Sequence, residues 1–250
     1  TVAGNVSVDG GTIKLDGNYP VGTDNVALGN TAFDAVTSGI QNTAIGANSM
    51  TANTSGTNNS AVGRSSLAAN TTGNELTALG TNSLAVNTTG SYNTALGSSA
   101  LVSNTTASNN TAVGYQAGYT NTTGTRMVAI GQQALYTSNG NDNVAMGYQT
   151  GYAVSTGTDN TFIGGAAGRL TTTGSYNTAI GRTALYSNTT APANTAVGYQ
   201  AGYANTTGQQ IALFGGSAGS SNTTANYTTA FGNQSLYSNT TGAANVGMGI

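Results

Sequence analysis

The 250-residue chain contains no cysteine, histidine or tryptophan, and only 5% of its residues are charged. Without histidine or cysteine the chain can form neither a Ser-His-Asp nor a Cys-His catalytic site, and zinc lacks both of its favoured ligands. Five Lys and Arg against seven Asp and Glu do not provide the phosphate-neutralising surface that nucleic-acid binding requires. No apolar run approaches the roughly 18 residues needed to span a membrane.

The few carboxylates do not form a pattern either. Asp9, Asp16, Asp24 and Asp34 lie near the N terminus, and Glu75 stands alone. Glycoside hydrolysis needs two carboxylates that face one bond, and calcium-binding solenoids place an Asp in every repeat. We therefore predict a protein that is not an enzyme and has no cofactor or metal site.

An apolar residue followed by glycine recurs along the whole chain. Of the thirteen intervals between these glycines, twelve are 17 residues long and one is 16. Such a period is typical of stacked units that cannot bury an apolar face alone. Seventeen residues are too few for the common helical repeats and suit one coil of a β-solenoid. The repeat glycines, numbered position 0 below, are Gly29, Gly46, Gly63, Gly80, Gly97, Gly114, Gly131, Gly147, Gly164, Gly181, Gly198, Gly215, Gly232 and Gly249.

The residues before each glycine alternate as a strand does. Position −3 is Val or Thr in twelve of fourteen coils, position −1 is always large and apolar, and position −2 is Ala in eleven. We expect the bulky −3 and −1 face to fill the coil. The Ala and Gly face then packs on the opposite wall of a thin core or on a neighbouring chain. A second short strand, around the small residue at +3, leads into an N-T-T-G turn.

These patterns predict an all-β fold: a β-solenoid, or β-roll, of about fourteen 17-residue coils with two short strands per coil, as a parallel homotrimer. Residues 25–250 form the solenoid. Residues 1–24 form an N-terminal cap, in which Val6–Asn18 is a hairpin or an irregular coil. Because the chain begins at Thr1 without a Met, we expect it to be a fragment of a longer protein.

The coil between Gly131 and Gly147 is one residue short. We expect the missing residue to tighten the turn at residues 138–141 and to leave the stacked strands in register. Asn lies at −4 in ten of fourteen coils, which predicts a ladder of hydrogen bonds from coil to coil.

Tyrosine recurs five residues after the glycine in the second half of the chain. Such a row has two interpretations, ring stacking that stabilises the solenoid or a candidate glycan-contact ladder. The Thr pairs of the N-T-T-G segments, such as Thr71-Thr72 and Thr88-Thr89, are either turn residues or a water-ordering array like that of ice-binding solenoids. The tyrosines of the row are Tyr119, Tyr136, Tyr152, Tyr186, Tyr203 and Tyr237.

The pattern N-T-A-I-G-x-x-A, as in Asn42–Ser49, Asn110–Ala117 and Asn177–Ala184, resembles the head repeats of trimeric autotransporter adhesins. It is also similar to glycine-rich repeats of bacteriophage tail fibres. The resemblance implies a β-roll, three chains around one axis, and attachment to a cell-surface glycan or matrix. We thus expect a non-enzymatic, extracellular fibre or adhesin segment at a cell surface or on a virion. The alternatives are an ice-binding solenoid and a purely structural filament.

Overall fold

The computed structural model describes residues 24–250, which form a single parallel sheet of fourteen three-residue strands in chain order. The fourteen strands enclose thirteen full coils, and no helix occurs in this range. The β-solenoid prediction is confirmed, whereas the predicted cap lies outside the described residues. The strands are β1 Val26–Leu28, β2 Thr43–Ile45, β3 Ser60–Val62, β4 Thr77–Leu79, β5 Thr94–Leu96, β6 Thr111–Val113, β7 Val128–Ile130, β8 Val144–Met146, β9 Thr161–Ile163, β10 Thr178–Ile180, β11 Thr195–Val197, β12 Ala212–Phe214, β13 Thr229–Phe231 and β14 Val246–Met248.

Each coil contributes one strand, so the prediction of two strands per coil is wrong. After the glycine the backbone turns repeatedly, with left-handed residues at +2 and +4; in one coil these are Asn48, with φ 59°, and Met50, with φ 47°. A residue in this conformation cannot continue an extended strand. The turns still bond neighbouring coils, since the Asn48 amide donates to Asn30 in the preceding coil at 2.9 Å and the Met50 amide to Ser66 in the following coil at 3.0 Å.

The prediction about which face fills the coil is also wrong. Ala at −2, for example Ala44 and Ala112, is fully buried, while the −1 side chains face outward and Leu79 is 46% exposed. The interior is filled from across the coil by large side chains at +4, such as Met50 and Leu67. Because this space leaves room only for a methyl group on the strand, the Ala face cannot also be an interface between chains.

Where a large side chain replaces Ala at −2, the facing +4 positions carry glycine. Phe162 replaces Ala at −2, and the +4 residues on both sides of it are glycines, Gly151 and Gly168. A Cβ atom built on Gly168 would lie 2.7 Å from the Phe162 ring, and one on Gly151 would lie 3.0 Å from it. The two glycines therefore provide the space that the phenylalanine ring fills.

Two buried asparagine ladders run along the core. In the predicted ladder at −4, the backbone amide of Asn59 donates to the side-chain Oδ1 of Asn42 at 3.0 Å. A second ladder runs through +7, where the sequence indicated only turn chemistry. There Asn70 Nδ2 donates to Asn53 Oδ1 at 2.7 Å and to the Gly73 carbonyl at 3.1 Å. The predicted bonding from coil to coil is confirmed, and the turn asparagines extend it.

The +7 ladder is interrupted in three successive coils by Ser138, Val154 and Thr171. The buried hydroxyls of Ser138 and Thr171 have no hydrogen-bond partner among the described residues. An unsatisfied buried polar group costs about 1–3 kcal/mol.

Replacing Thr171 by valine is expected to raise the free energy of unfolding by about 1 kcal/mol, because the change removes an unpaired hydroxyl and keeps the shape. Thr150 provides the control: it is equally buried, but its Oγ1 donates to the Gly164 carbonyl at 2.6 Å. Thr150→Val is expected to destabilise the chain. Urea unfolding of both variants tests the prediction, which fails if the two changes have the same sign.

The 16-residue coil between Gly131 and Gly147 keeps its strands aligned. Strands β7 and β8 pair in parallel with Val128 beside Val144, the register seen elsewhere in the sheet. The expectation that the deletion leaves the stacked strands in register is confirmed.

In the short coil, an asparagine side chain provides the hydrogen-bond acceptor that a backbone carbonyl provides in other coils. In a regular coil, the amide and hydroxyl of Thr71 donate to the backbone carbonyl of Thr88 at 2.9 and 3.0 Å. Beside the short coil, the amide and hydroxyl of Thr122 donate instead to Asn139 Oδ1 at 2.8 and 2.9 Å. Thr123 donates its amide to the same oxygen at 3.3 Å. The side-chain carbonyl of Asn139 thus takes the place of a missing backbone carbonyl.

Asn139→Ala is expected to destabilise the chain by about 1–3 kcal/mol, since three donors lose their acceptor. Asn139→Asp keeps an oxygen at the same place and is expected to cost less. Urea unfolding of the two variants and the native chain measures the difference. Equal stability of the alanine variant and the native chain would show that water replaces the acceptor.

Candidate functional site

The outer face of the sheet is a regular surface that runs along all fourteen strands. We call the −3 and −1 side chains of strands β1–β14 the sheet face. Its −3 row is rich in threonine, and in the described residues those threonine hydroxyls, for example Thr94 and Thr178, donate to no protein acceptor. The −1 row is Leu28, Ile45, Val62, Leu79, Leu96, Val113, Ile130, Met146, Ile163, Ile180, Val197, Phe214, Phe231 and Met248.

The sheet face is long, and its side chains stand in register from strand to strand. Thirteen strand spacings of about 4.7–4.9 Å give a length of roughly 62 Å. The rings of Phe214 and Phe231, in adjacent coils of the −1 row, are 4.7 Å apart with an interplanar angle of 5°. Several members of the apolar row are well exposed, among them Leu79 at 46%, Phe231 at 44% and Met146 at 40%.

The predicted tyrosine row at +5 is present and its rings are stacked. Ring centroids are 4.9 Å apart for Tyr119 and Tyr136, 5.0 Å for Tyr136 and Tyr152, and 5.2 Å for Tyr186 and Tyr203. Tyr237 stands apart from the others, because the intervening coil has Ser220 at this position.

Arg169 joins the two groups of stacked tyrosines. Its guanidinium carbon lies 5.3 Å from the Tyr152 ring centroid and 5.9 Å from that of Tyr186. Its Nε donates to Gln149 Oε1 at 3.1 Å, and its Nη1 donates to the Tyr186 hydroxyl at 3.3 Å. A cation over aromatic faces is attracted by the ring quadrupole. Arg169 occupies +5 between two tyrosines, a position that the tyrosine pattern alone did not single out.

Stacking leaves little ring face free in this row. From Tyr119 to Tyr203 each ring has at least one face against another ring or against Arg169. This geometry favours the packing interpretation. Glycan contact by the row stays a prediction, which would have to use ring edges and hydroxyl groups or the more isolated Tyr237, whose residue is 47% exposed.

Stacking in the tyrosine row makes the phenol of Tyr136 harder to ionise. Loss of water contact raises the pKa of Tyr136, and the neighbouring Tyr119 and Tyr152 raise it further. The fold thus favours the neutral phenol over the phenolate. The contribution of Tyr136 to stability is complete below the unfolded pKa of about 10 and is lost as the pH rises through the higher folded-state pKa.

Titration of tyrosinate absorbance is expected to show that Tyr136→Phe removes a component that ionises above about pH 10. The variant is also expected to lose less stability than the native chain on passing to strongly alkaline pH. If Tyr136→Phe removes only tyrosinate absorbance that develops below about pH 10, the prediction is wrong.

The Thr pairs of the N-T-T-G segments divide their roles. The first Thr bonds the next coil, as Thr206 Oγ1 does to the Thr223 carbonyl at 3.0 Å. The second, such as Thr72 or Thr207, is exposed. Only one hydroxyl of each pair is therefore available to organise water, and ice binding by this row stays a prediction.

The charged groups are few and exposed. Arg126 donates to both carboxylate oxygens of Asp142, at 2.6 and 2.7 Å, and this hydrogen bonding lowers the pKa of the Asp142 carboxyl. Within residues 24–250, no cluster of three or more acidic residues is placed to hold a metal ion. The same range contains no helix with the length and apolar character needed to cross a membrane.

Comparison with protein-family models, with curated proteins and with solved structures found no match. The resemblance to adhesin head repeats and tail-fibre repeats rests on the repeat residues themselves, such as Asn42–Gly46 and Asn177–Ala184.

Proposed function

We propose that this chain is a non-enzymatic segment of an extracellular fibre or adhesin, a rod whose sheet face packs on copies of itself. The observation that carries the proposal is the continuous apolar −1 row, which spans all fourteen strands and is left uncovered by residues 24–250. The resemblance to trimeric adhesin repeats supports a parallel homotrimer. In such a trimer the chains would meet through the sheet face, since the Ala face lies inside the coil.

The size of the sheet face supports self-association. Two side-chain rows about 10 Å wide and roughly 62 Å long present about 600 Å² per chain. That area, which includes the polar threonine row, is near the roughly 800 Å² per partner of a standard interface. Identical rods in parallel would set matching rows against each other along their whole length.

Sedimentation equilibrium of the purified chain tests this proposal. We expect a trimer that dissociates when Leu79 and Ile180 are both changed to lysine. Changing the exposed Thr72 and Thr207 to lysine adds the same charge away from the sheet face and is expected to leave the trimer intact. A native chain that is monomeric at micromolar concentration would overturn the assignment.

The sheet face also supports a second candidate function, ice binding. Its −3 threonines present unpartnered hydroxyls in a straight row beside aliphatic groups, at the regular spacing of the strands. Because both functions need the same face, a trimer and an ice-binding monomer exclude each other. Thermal hysteresis by a monomeric native chain, abolished by Thr94→Lys and Thr178→Lys, would favour the second candidate.

A further inference from the structure

A column of exposed residues at +1, beside the corner glycines, contains a gap. Tyr148, Gly165, Arg182 and Tyr199 take this position in four successive coils. Backbone hydrogen bonds of 2.8, 2.9 and 3.1 Å, each from the +2 amide of one coil to the +1 carbonyl of the coil before, hold the four in line. The register of the column is therefore fixed by the main chain.

Gly165 makes the column a notch. A Cβ atom built on it would meet no heavy atom within 4 Å, so the space above the glycine is open. Tyr148 on one side is 54% exposed, and beyond Arg182 on the other side Tyr199 is 51% exposed. Two strand spacings put Tyr148 and Arg182 about 10 Å apart along the axis. A single sugar ring fits this opening, because carbon contacts need only about 3.5–4.0 Å on each side.

The charged group at the notch is the Arg182 guanidinium. Between residues 148 and 199 the charged residues are Asp159, Arg169 and Arg182. Arg169 is engaged by Gln149 and Tyr186. The Arg182 side chain is exposed and forms no hydrogen bond or ion pair with any described residue. A carboxylate or sulfate group would pair with it.

We propose that Tyr148, Gly165, Arg182 and Tyr199 form a binding site for an anionic sugar residue. The apolar face of the pyranose packs on an exposed tyrosine ring, and its acidic group pairs with the Arg182 guanidinium. The site differs from the +5 row, whose ring faces are covered by stacking. This inference rests on the proposed function as an extracellular, surface-attaching fibre, and it names the class of ligand.

Calorimetric titration of the full chain with an oligosaccharide of glucuronic acid tests the site. We expect binding that weakens with salt and that is at least tenfold weaker for a glucose oligosaccharide of equal length. Arg182→Gln is expected to remove the preference for the acidic sugar. Gly165→Gln is expected to fill the notch and weaken binding at least tenfold; folding tolerates this change, since Gln132 occupies the same position in another coil.

Tyr115→Ala is the matched control, because Tyr115 lies in the same column between Ser98 and Gln132, away from the notch. This variant is expected to bind as the native chain does. The inference is overturned if the native chain does not bind the acidic oligosaccharide, or if Gly165→Gln and Arg182→Gln bind it unchanged. Sedimentation of the same samples keeps the two proposals apart, since a trimer without sugar binding refutes the site and leaves the fibre proposal standing.

Discussion

Phe162→Ala is expected to lower the free energy of unfolding by about 3–5 kcal/mol, the usual cost of removing a buried phenylalanine ring. Phe162 is fully buried, and its neighbours across the coil are Gly151 and Gly168, which have no side chains to move into the cavity. Denaturant unfolding measures the loss. Hydrogen exchange at the amides of β8 to β10 locates it, because a solenoid is stabilised coil by coil.

A second substitution separates cavity formation from general damage. Gly168→Leu in the Phe162→Ala background restores the common pairing of Ala at −2 with Leu at +4, as in Ala61 and Leu67, and is expected to recover at least half of the loss. Gly168→Leu alone is expected to destabilise, since its Cβ would lie 2.7 Å from the ring. Additive effects of the two changes would contradict the complementary packing.

The period of the repeat was sufficient to predict the stacking. A constant offset of 17 residues leaves one way to superpose the coils, and the observed pairing of Thr94 with Thr111 and of Ala95 with Ala112 follows it. The ladder at −4 was predictable for the same reason. The short coil could be placed because its strands obey the register on both sides, but the role of the Asn139 side chain depends on a contact between coils.

The orientation of the strand could not be read from alternation alone. Alternating residues define two faces, and the usual preference for large apolar residues inside would put the −1 side chains in the core. The −1 side chains face outward because the core is already filled by the +4 residues. Leu67 and Leu84, for example, enter the core from left-handed backbone with φ 50° and 48°. Nothing in the intrinsic preference of leucine indicates that conformation.

The sequence could predict which side chains of the candidate site line up from coil to coil, but not how those side chains contact each other. Equal spacing showed that Tyr119 and Tyr136 align, but not that their rings would cover each other at 4.9 Å. Whether an aligned aromatic column is closed or open depends on its neighbours. Arg169 closes the +5 column between two tyrosines, whereas Gly165 opens the +1 column.

Asn70→Ala is expected to destabilise the chain by about 2–5 kcal/mol, because it cuts a fully buried ladder in the middle. Asn53 Oδ1 loses the donor at 2.7 Å, Asn87 Nδ2 loses one of its two acceptors, at 2.8 Å, and the Gly73 carbonyl loses one of its two donors, at 3.1 Å.

The control for this substitution is Asn109→Ala on the surface. Asn109 is exposed, and its left-handed backbone with φ 63° is tolerated by alanine, since Ala193 occupies the equivalent position with φ 58°. Its loss is expected to cost no more than about 1 kcal/mol. Urea unfolding of the two variants gives the comparison, and hydrogen exchange of the coils around β3 and β4 is expected to rise only for Asn70→Ala. If both substitutions cost the same, the stability of the solenoid comes from its backbone bonds and core packing, and the asparagine ladder only fills the space between them.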